Sequence, residues 1–181
     1  STLWRSAPRT GETVNMQNAN GTAGPNDGQH AVRTLWVEDF YGTMHTGLDG
    51  MNLKFNEENM CLDVYVCNDP SKYGDTYDGY TKVDSMKIDL NGANQNYDNS
   101  GWIKKLGFDK NYPTLEVPVL ANGGAGSESY LAAYRWANRY GARPFAGGSF
   151  NNGSQDSARF LCCAYGFGVA NWHYASRPLK R

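Results

Sequence analysis

The chain has 181 residues and a formal net charge of −1, with 17 lysines and arginines against 18 aspartates and glutamates. That length fits one domain with a core of its own, and a near-zero charge offers no basic stripe to track phosphates, so no nucleic-acid partner is expected. A hydrophobic content of 40%, an aromatic content of 13% and 21 glycines argue against disorder and for a folded chain with many loops. No apolar run approaches the roughly 20 residues that cross a bilayer as a helix, and the N-terminus carries no signal-peptide pattern.

Residues 1–30 are polar and rich in Asn, Gly, Thr and Pro, and read as an arm or loop without a core of its own. In "AVRTLWVEDFYGTM" Leu35, Val37, Asp39 and Tyr41 alternate with Trp36, Glu38 and Phe40, a pattern that fits a strand covered on both faces or a short helix. "CLDVYVCNDP" is clearer. Leu62, Val64 and Val66 share one face, Asp63 and Tyr65 the other, and Asn68, Asp69 and Pro70 supply turn chemistry, so a β-strand is predicted. From Ser71 to Ser100 the chain reads as long loops around at most one strand, Val83 to Leu90.

"GWIKKLGF" is expected to form a helical turn or two with Trp102, Ile103 and Leu106 inward. "TLEVPVLANGGAGS" reads as a strand with prolines at its edges, running into a glycine-rich loop. Gly123, Gly124 and Gly126 match neither GxGxxG nor the P-loop, so a plain connection is expected. "SYLAAYRWANRY" holds good helix formers, yet Tyr130, Tyr134 and Trp136 share one parity, which favours a strand. Short strands, one or two short helices and a high loop content add up to a mixed α+β domain.

Four cysteines allow three pairings if all are oxidised, but the spacing is sparse for a disulfide scaffold, so mostly free or buried thiols are expected. Cys162 and Cys163 point to opposite faces if they lie on a strand, one in the core and the other at the surface. His30, His45 and His173 supply no metal-ligand spacing with the cysteines, and "CNDP" lacks the partner acids of a calcium cage. No metal and no cofactor are expected.

Residues 147–177, "GGSFNNGSQDSARFLCCAYGFGVANWHYASR", combine glycine, small polar and aromatic residues with little charge. Glycines permit tight turns, and Tyr, Trp, Ser and Asn are favoured by binding surfaces. Tyr165, Phe167, Trp172, His173 and Tyr174 are the candidate contact anchors, with Trp172 and Phe160 better suited to a core. On this reading, alanine at Tyr165, His173 or Tyr174 alters binding and leaves the melting temperature nearly unchanged.

The run of "GMNLKFN", "LDVYVCNDPSKY", "GWIKKLGF", a Tyr-rich strand and "RPFAGGSFNNGS" followed by "NWHYASR" resembles the variable proteins of diversity-generating retroelements, especially those of gut phages and prophages. The resemblance covers about residues 50 to 177. It implies a C-type lectin-like fold of the formylglycine-generating-enzyme type over residues 46–181, after an N-terminal region 1–45 holding an arm and a first element. It also implies a reverse transcriptase that copies a template repeat and mutates its adenines, with Gly147, Gly148 and Arg177 as a constant frame. Between them the resemblance places Ser149, Phe150, Asn152, Gln155, Cys162, Ala164, Tyr165, Phe167, Val169, Asn171, His173 and Tyr174 in the variable, ligand-binding surface. Phe150 stands where such proteins usually have Trp, and "ASR" where they usually have "GAR".

The implied function is a diversified receptor-binding protein or adhesin. Its ligand is an unidentified protein or glycan on a cell or particle, and it is carried on a phage or prophage virion or on a bacterial or archaeal cell surface, with a homo-oligomer possible. Two alternatives are a cysteine enzyme of the formylglycine-generating type and a non-diversified carbohydrate-binding domain. A reactive cysteine needs a cationic or histidine neighbour, for which Arg159 and His173 are the candidates, but no acid–base pair or triad order accompanies Cys162 and Cys163. No catalytic residue is therefore assigned.

Overall fold

The computed structural model describes residues 12–24, 30–34, 36–38, 44–90, 99–122, 133–149, 152, 155, 159–171 and 174–175. Expectations for the start of the arm, the glycine loop 123–126, Phe150, Trp172, His173 and Arg177 lie outside them.

In chain order the strands are β1 (Gly21–Thr22), β2 (Val32–Thr34), β3 (Val37–Glu38), β4 (His45–Gly47), β5 (Met51–Asn56), β6 (Cys61–Val66), β7 (Thr81–Asp89), β8 (Gly101–Asp109), β9 (Tyr112–Asn122), β10 (Tyr134–Ala137), β11 (Phe145–Ala146), β12 (Leu161–Cys163) and β13 (Tyr174–Ala175). They form a small sheet β1-β2-β3, a three-stranded sheet β5-β6-β7 and a seven-stranded sheet β13-β4-β11-β12-β10-β8-β9.

The architecture is all-β, which corrects the expectation of an α+β, C-type lectin-like domain with one or two short helices. No α-helix occurs among the described residues, and Pro70–Lys72 makes a single 3-10 turn. "GWIKKLGF" lies inside β8, paired antiparallel with β9. Register shifts around Lys105 break its period-two alternation, so its apolar residues are spaced as on a helix although the backbone is extended. The same device operates in β7. A shift opposite Asp63 and Val64 lets Val83 and Met86, three apart, both point inward.

β6 spans Cys61–Val66 as the alternation predicts, and Asp69 caps the following 3-10 turn by accepting hydrogen bonds from the Ser71 amide and hydroxyl. Its second face is also covered, however. Asp63 is buried and accepts from Lys82 Nζ at 2.8 Å and Asn56 Nδ2 at 3.0 Å. The loop of residues 70–80 lies over this face. Asn52 Nδ2 donates to the Gly74 and Thr76 carbonyls, and the Tyr77 hydroxyl donates to the Leu53 carbonyl at 2.5 Å.

The main core sits between the three-stranded sheet and one face of the seven-stranded one. It is aliphatic, built from residues such as Leu53, Leu62, Val64, Met86, Ile88 and Val117, with Leu161 and Cys163 closing it from β12. Arg135 on β10 is fully buried and donates to the carbonyls of Asp89, Asn99 and Pro118. It ties three chain segments together where a shorter side chain would leave orphaned acceptors. In the arm, Arg33 is buried beneath residues 13–16 and donates to the Thr13 and Met16 carbonyls.

Candidate functional site

Strand β12 alternates between two environments. Leu161 and Cys163 face the aliphatic core, whereas Phe160 and Cys162 face a second cluster on the far side of the sheet. Both cysteines are therefore buried, at 2% and 0% exposure, which corrects the expectation that one would reach the surface. Cys61 and Cys67 are also free and buried.

The second cluster is aromatic. Phe145 on β11 lies opposite Cys162 and stacks on Tyr174 at 4.6 Å between ring centroids. His45 on β4 stacks on Phe160 at 5.4 Å and meets Tyr174 at 5.5 Å. Tyr165 closes the group, edge-on to Tyr174 at 5.2 Å. The Tyr174 hydroxyl is pushed well above the ordinary phenol range, first by burial and then by the neighbouring Tyr165. It stays protonated throughout the physiological range.

Around this cluster the C-terminal segment is pinned and then released. Gly147 and Gly148 take φ of 84° and 66°, a left-handed pair that residues with a Cβ adopt only at a cost. Ser149 is buried, and its amide and hydroxyl both donate to Asn152 Oδ1, at 3.2 and 2.6 Å. Asn152 and Gln155 are half-buried. After β12 the Tyr165 carbonyl accepts from the amides of Ala142 and Arg143. The chain then leaves the sheet. Gly168, Val169, Ala170 and Asn171 are exposed, and Tyr174 returns to pair in parallel with His45. Phe167, half-buried at the start of this excursion, meets the Tyr77 ring at 5.8 Å, and Tyr77 in turn meets Tyr65 at 5.0 Å.

The residues expected at a contact surface therefore divide. Ser149 and Cys162 are inside the protein; Ala164, Tyr165 and Tyr174 lie against the aromatic cluster, half-buried; Phe167, Val169 and Asn171 occupy the outward excursion. Sequence reading missed His45 and Phe145, which hold the segment from beneath, and Tyr77, which supports Phe167. The only signal for Tyr77 was the Tyr, Asp and Gly content of residues 71–80, and that signal is equally typical of an unsupported loop.

Burial pushes the Cys162 thiol up to about 12 and the Cys163 thiol further still, while burial and the neighbouring Asp63 raise Cys61. Such thiols are protonated near neutrality, and nucleophilic chemistry requires the thiolate. Among the described residues no three His, Cys, Asp or Glu side chains gather to hold a metal ion. Fold and site together define an all-β scaffold that presents an aromatic-rooted surface segment. No family model, curated protein sequence or solved structure matches the chain.

Proposed function

We propose that the chain is a non-catalytic ligand-binding protein whose C-terminal surface segment is diversified, like that of the retroelement variable proteins it resembles in sequence. The observation that carries this reading is the excursion from Ala164 to Asn171. Both ends are fastened in the seven-stranded sheet, at β12 and β13, and the middle is exposed. Exposed substitutions of that kind cost within about 0.5 kcal/mol, so the segment accepts new side chains while the framework stays folded. Fixed ends also limit the ordering cost on binding. The buried, protonated thiols support a role without cysteine catalysis. The ligand is a protein or glycan on a cell or particle surface.

Sequencing this gene and its flanking locus across many isolates tests the reading. Substitutions concentrated at Phe167, Val169 and Asn171, matching adenines of a nearby repeat beside a reverse-transcriptase gene, are expected. Codons for Gly147, Gly148, Phe145 and Phe160 are expected to stay uniform. An invariant segment without such a repeat overturns the diversification.

A further inference from the structure

The excursion and the loop of residues 70–80 meet at one pair of rings. Phe167 rests on Tyr77 with 5.8 Å between centroids and 58° between planes. The two rings belong to different parts of the fold, since the excursion hangs from β12 and β13 of the seven-stranded sheet whereas Tyr77 is fixed on the three-stranded one. Several contacts fix it. The Tyr77 hydroxyl donates to the Leu53 carbonyl of β5 at 2.5 Å, its ring meets Tyr65 of β6 at 5.0 Å, and the Lys54 ammonium lies 5.6 Å from its centroid. Asn52, itself buried, holds the loop just before Tyr77 by donating to the Gly74 and Thr76 carbonyls.

Beyond Phe167 the segment leaves the body. A Cβ placed on Gly168 would find no heavy atom within 4 Å, and Gly168 to Asn171 are exposed, until the Asn171 carbonyl accepts from the Tyr174 amide at 3.2 Å. Gly166 and Gly168, on either side of Phe167, have no side chain to restrict the backbone, so the path of the segment depends on the ring between them. An aromatic pair of this kind biases a local equilibrium by roughly two- to tenfold. That is enough to keep the segment seated most of the time, and small enough for one substitution to release it. We propose that Tyr77 is a positioning residue of the ligand face: it seats Phe167 and so pre-organises Gly168 to Asn171, and residue 167 sets the rigidity of the segment while Val169 and Asn171 supply contacts. A seated segment gives up less conformational freedom on binding, so a chain with an aromatic ring at 167 binds at a lower ordering cost than one with a small residue there. This rests on the reading of the chain as a ligand-binding protein with a diversified segment, and gives one of the varied positions a task separate from contact.

Backbone nitrogen relaxation by NMR on the full chain tests the assignment without a ligand. Order parameters of Gly168, Val169 and Ala170 are expected above the roughly 0.6 that marks a flexible backbone in the native chain, and below it in Phe167→Ser and in Tyr77→Leu. Phe167→Trp should retain the order and Val169→Ser should leave it unchanged. The melting temperature of Phe167→Ser should stay at the native value, which separates positioning from a contribution to the core. Order that survives either Phe167→Ser or Tyr77→Leu, or that is already absent in the native chain, overturns the proposal. If isolates show a varied segment whose order does not depend on Tyr77, the positioning role falls and the diversified reading stands. If order depends on Tyr77 in a gene without variation, Tyr77 keeps its role and diversification falls.

Discussion

The two faces of strand β12 enclose cores of different chemistry. On one side Leu161 and Cys163 join an aliphatic cluster supplied by both larger sheets; on the other Phe160 and Cys162 join aromatic rings borrowed from β4, β11 and the C-terminal segment. The aliphatic side depends on regular strands for its residues, whereas the aromatic side takes two of its rings, Tyr165 and Tyr174, from the edges of a surface excursion. A regular core and the root of an exposed segment thus lie on opposite faces of one sheet, and Tyr165 and Tyr174 join that segment to the sheet.

The largest effect should come from the aliphatic side. Leu62→Ala, at a fully buried position, is expected to cost about 2–5 kcal/mol in chemical denaturation. Tyr174→Ala breaks the stack on Phe145. It should cost about 2 kcal/mol, in contrast to the near-neutral effect expected of a free surface tyrosine, and an unchanged melting temperature would mean that the aromatic cluster does not contribute to stability. Gly147→Ala forces a Cβ into a φ of 84° and should cost about 1–2 kcal/mol, read the same way. Val169→Ser, in the exposed excursion, should stay within about 0.5 kcal/mol; a larger loss would place that residue in the framework.

A pH series sharpens the contrast from the aliphatic sheet's outer face. Burial by itself would raise the Asp63 carboxyl, but the hydrogen bonds from Lys82 and Asn56 and the charges of Lys82 and Lys87 outweigh it and hold it below the usual range. A lowered folded value stabilises above the unfolded value of about 3.9 and is lost as pH falls through the folded one. Asp63→Asn should therefore be less stable than the native chain at pH 7, and the difference should shrink below about pH 4. A constant difference across that window would show that the carboxylate's charge is not what matters.

Much of the framework was legible in the chain. β6 spans Cys61–Val66, where alternation and the Asn-Asp-Pro turn place it, and β9 covers Tyr112–Asn122 despite its prolines. Alternation also found β7, expected over Val83 to Leu90 and observed at Thr81–Asp89, but period-two reasoning failed in β8, where the register shifts around Lys105, because one extra residue exchanges the faces of all that follow. In β8 the resulting spacing imitated a helix and led to the wrong fold class. At the site, the Gly147–Gly148 turn was readable because only glycine takes successive left-handed conformations readily. Burial of Cys162 and Ser149 was not. It depends on β4 and β11 lying alongside β12, a long-range arrangement that no local pattern encodes.

The position of β4 in the seven-stranded sheet bears on synthesis. Its neighbours are β11 and β13, both far downstream in the chain, so His45 and Thr46 emerge from the ribosome long before the strands they pair with exist. Pairings this distant in sequence close slowly. The edge of β4 therefore stays open until Tyr174 is made, and a ribosome stalled between β12 and β13 would release a nascent chain with that edge unpaired and prone to associate with its neighbours.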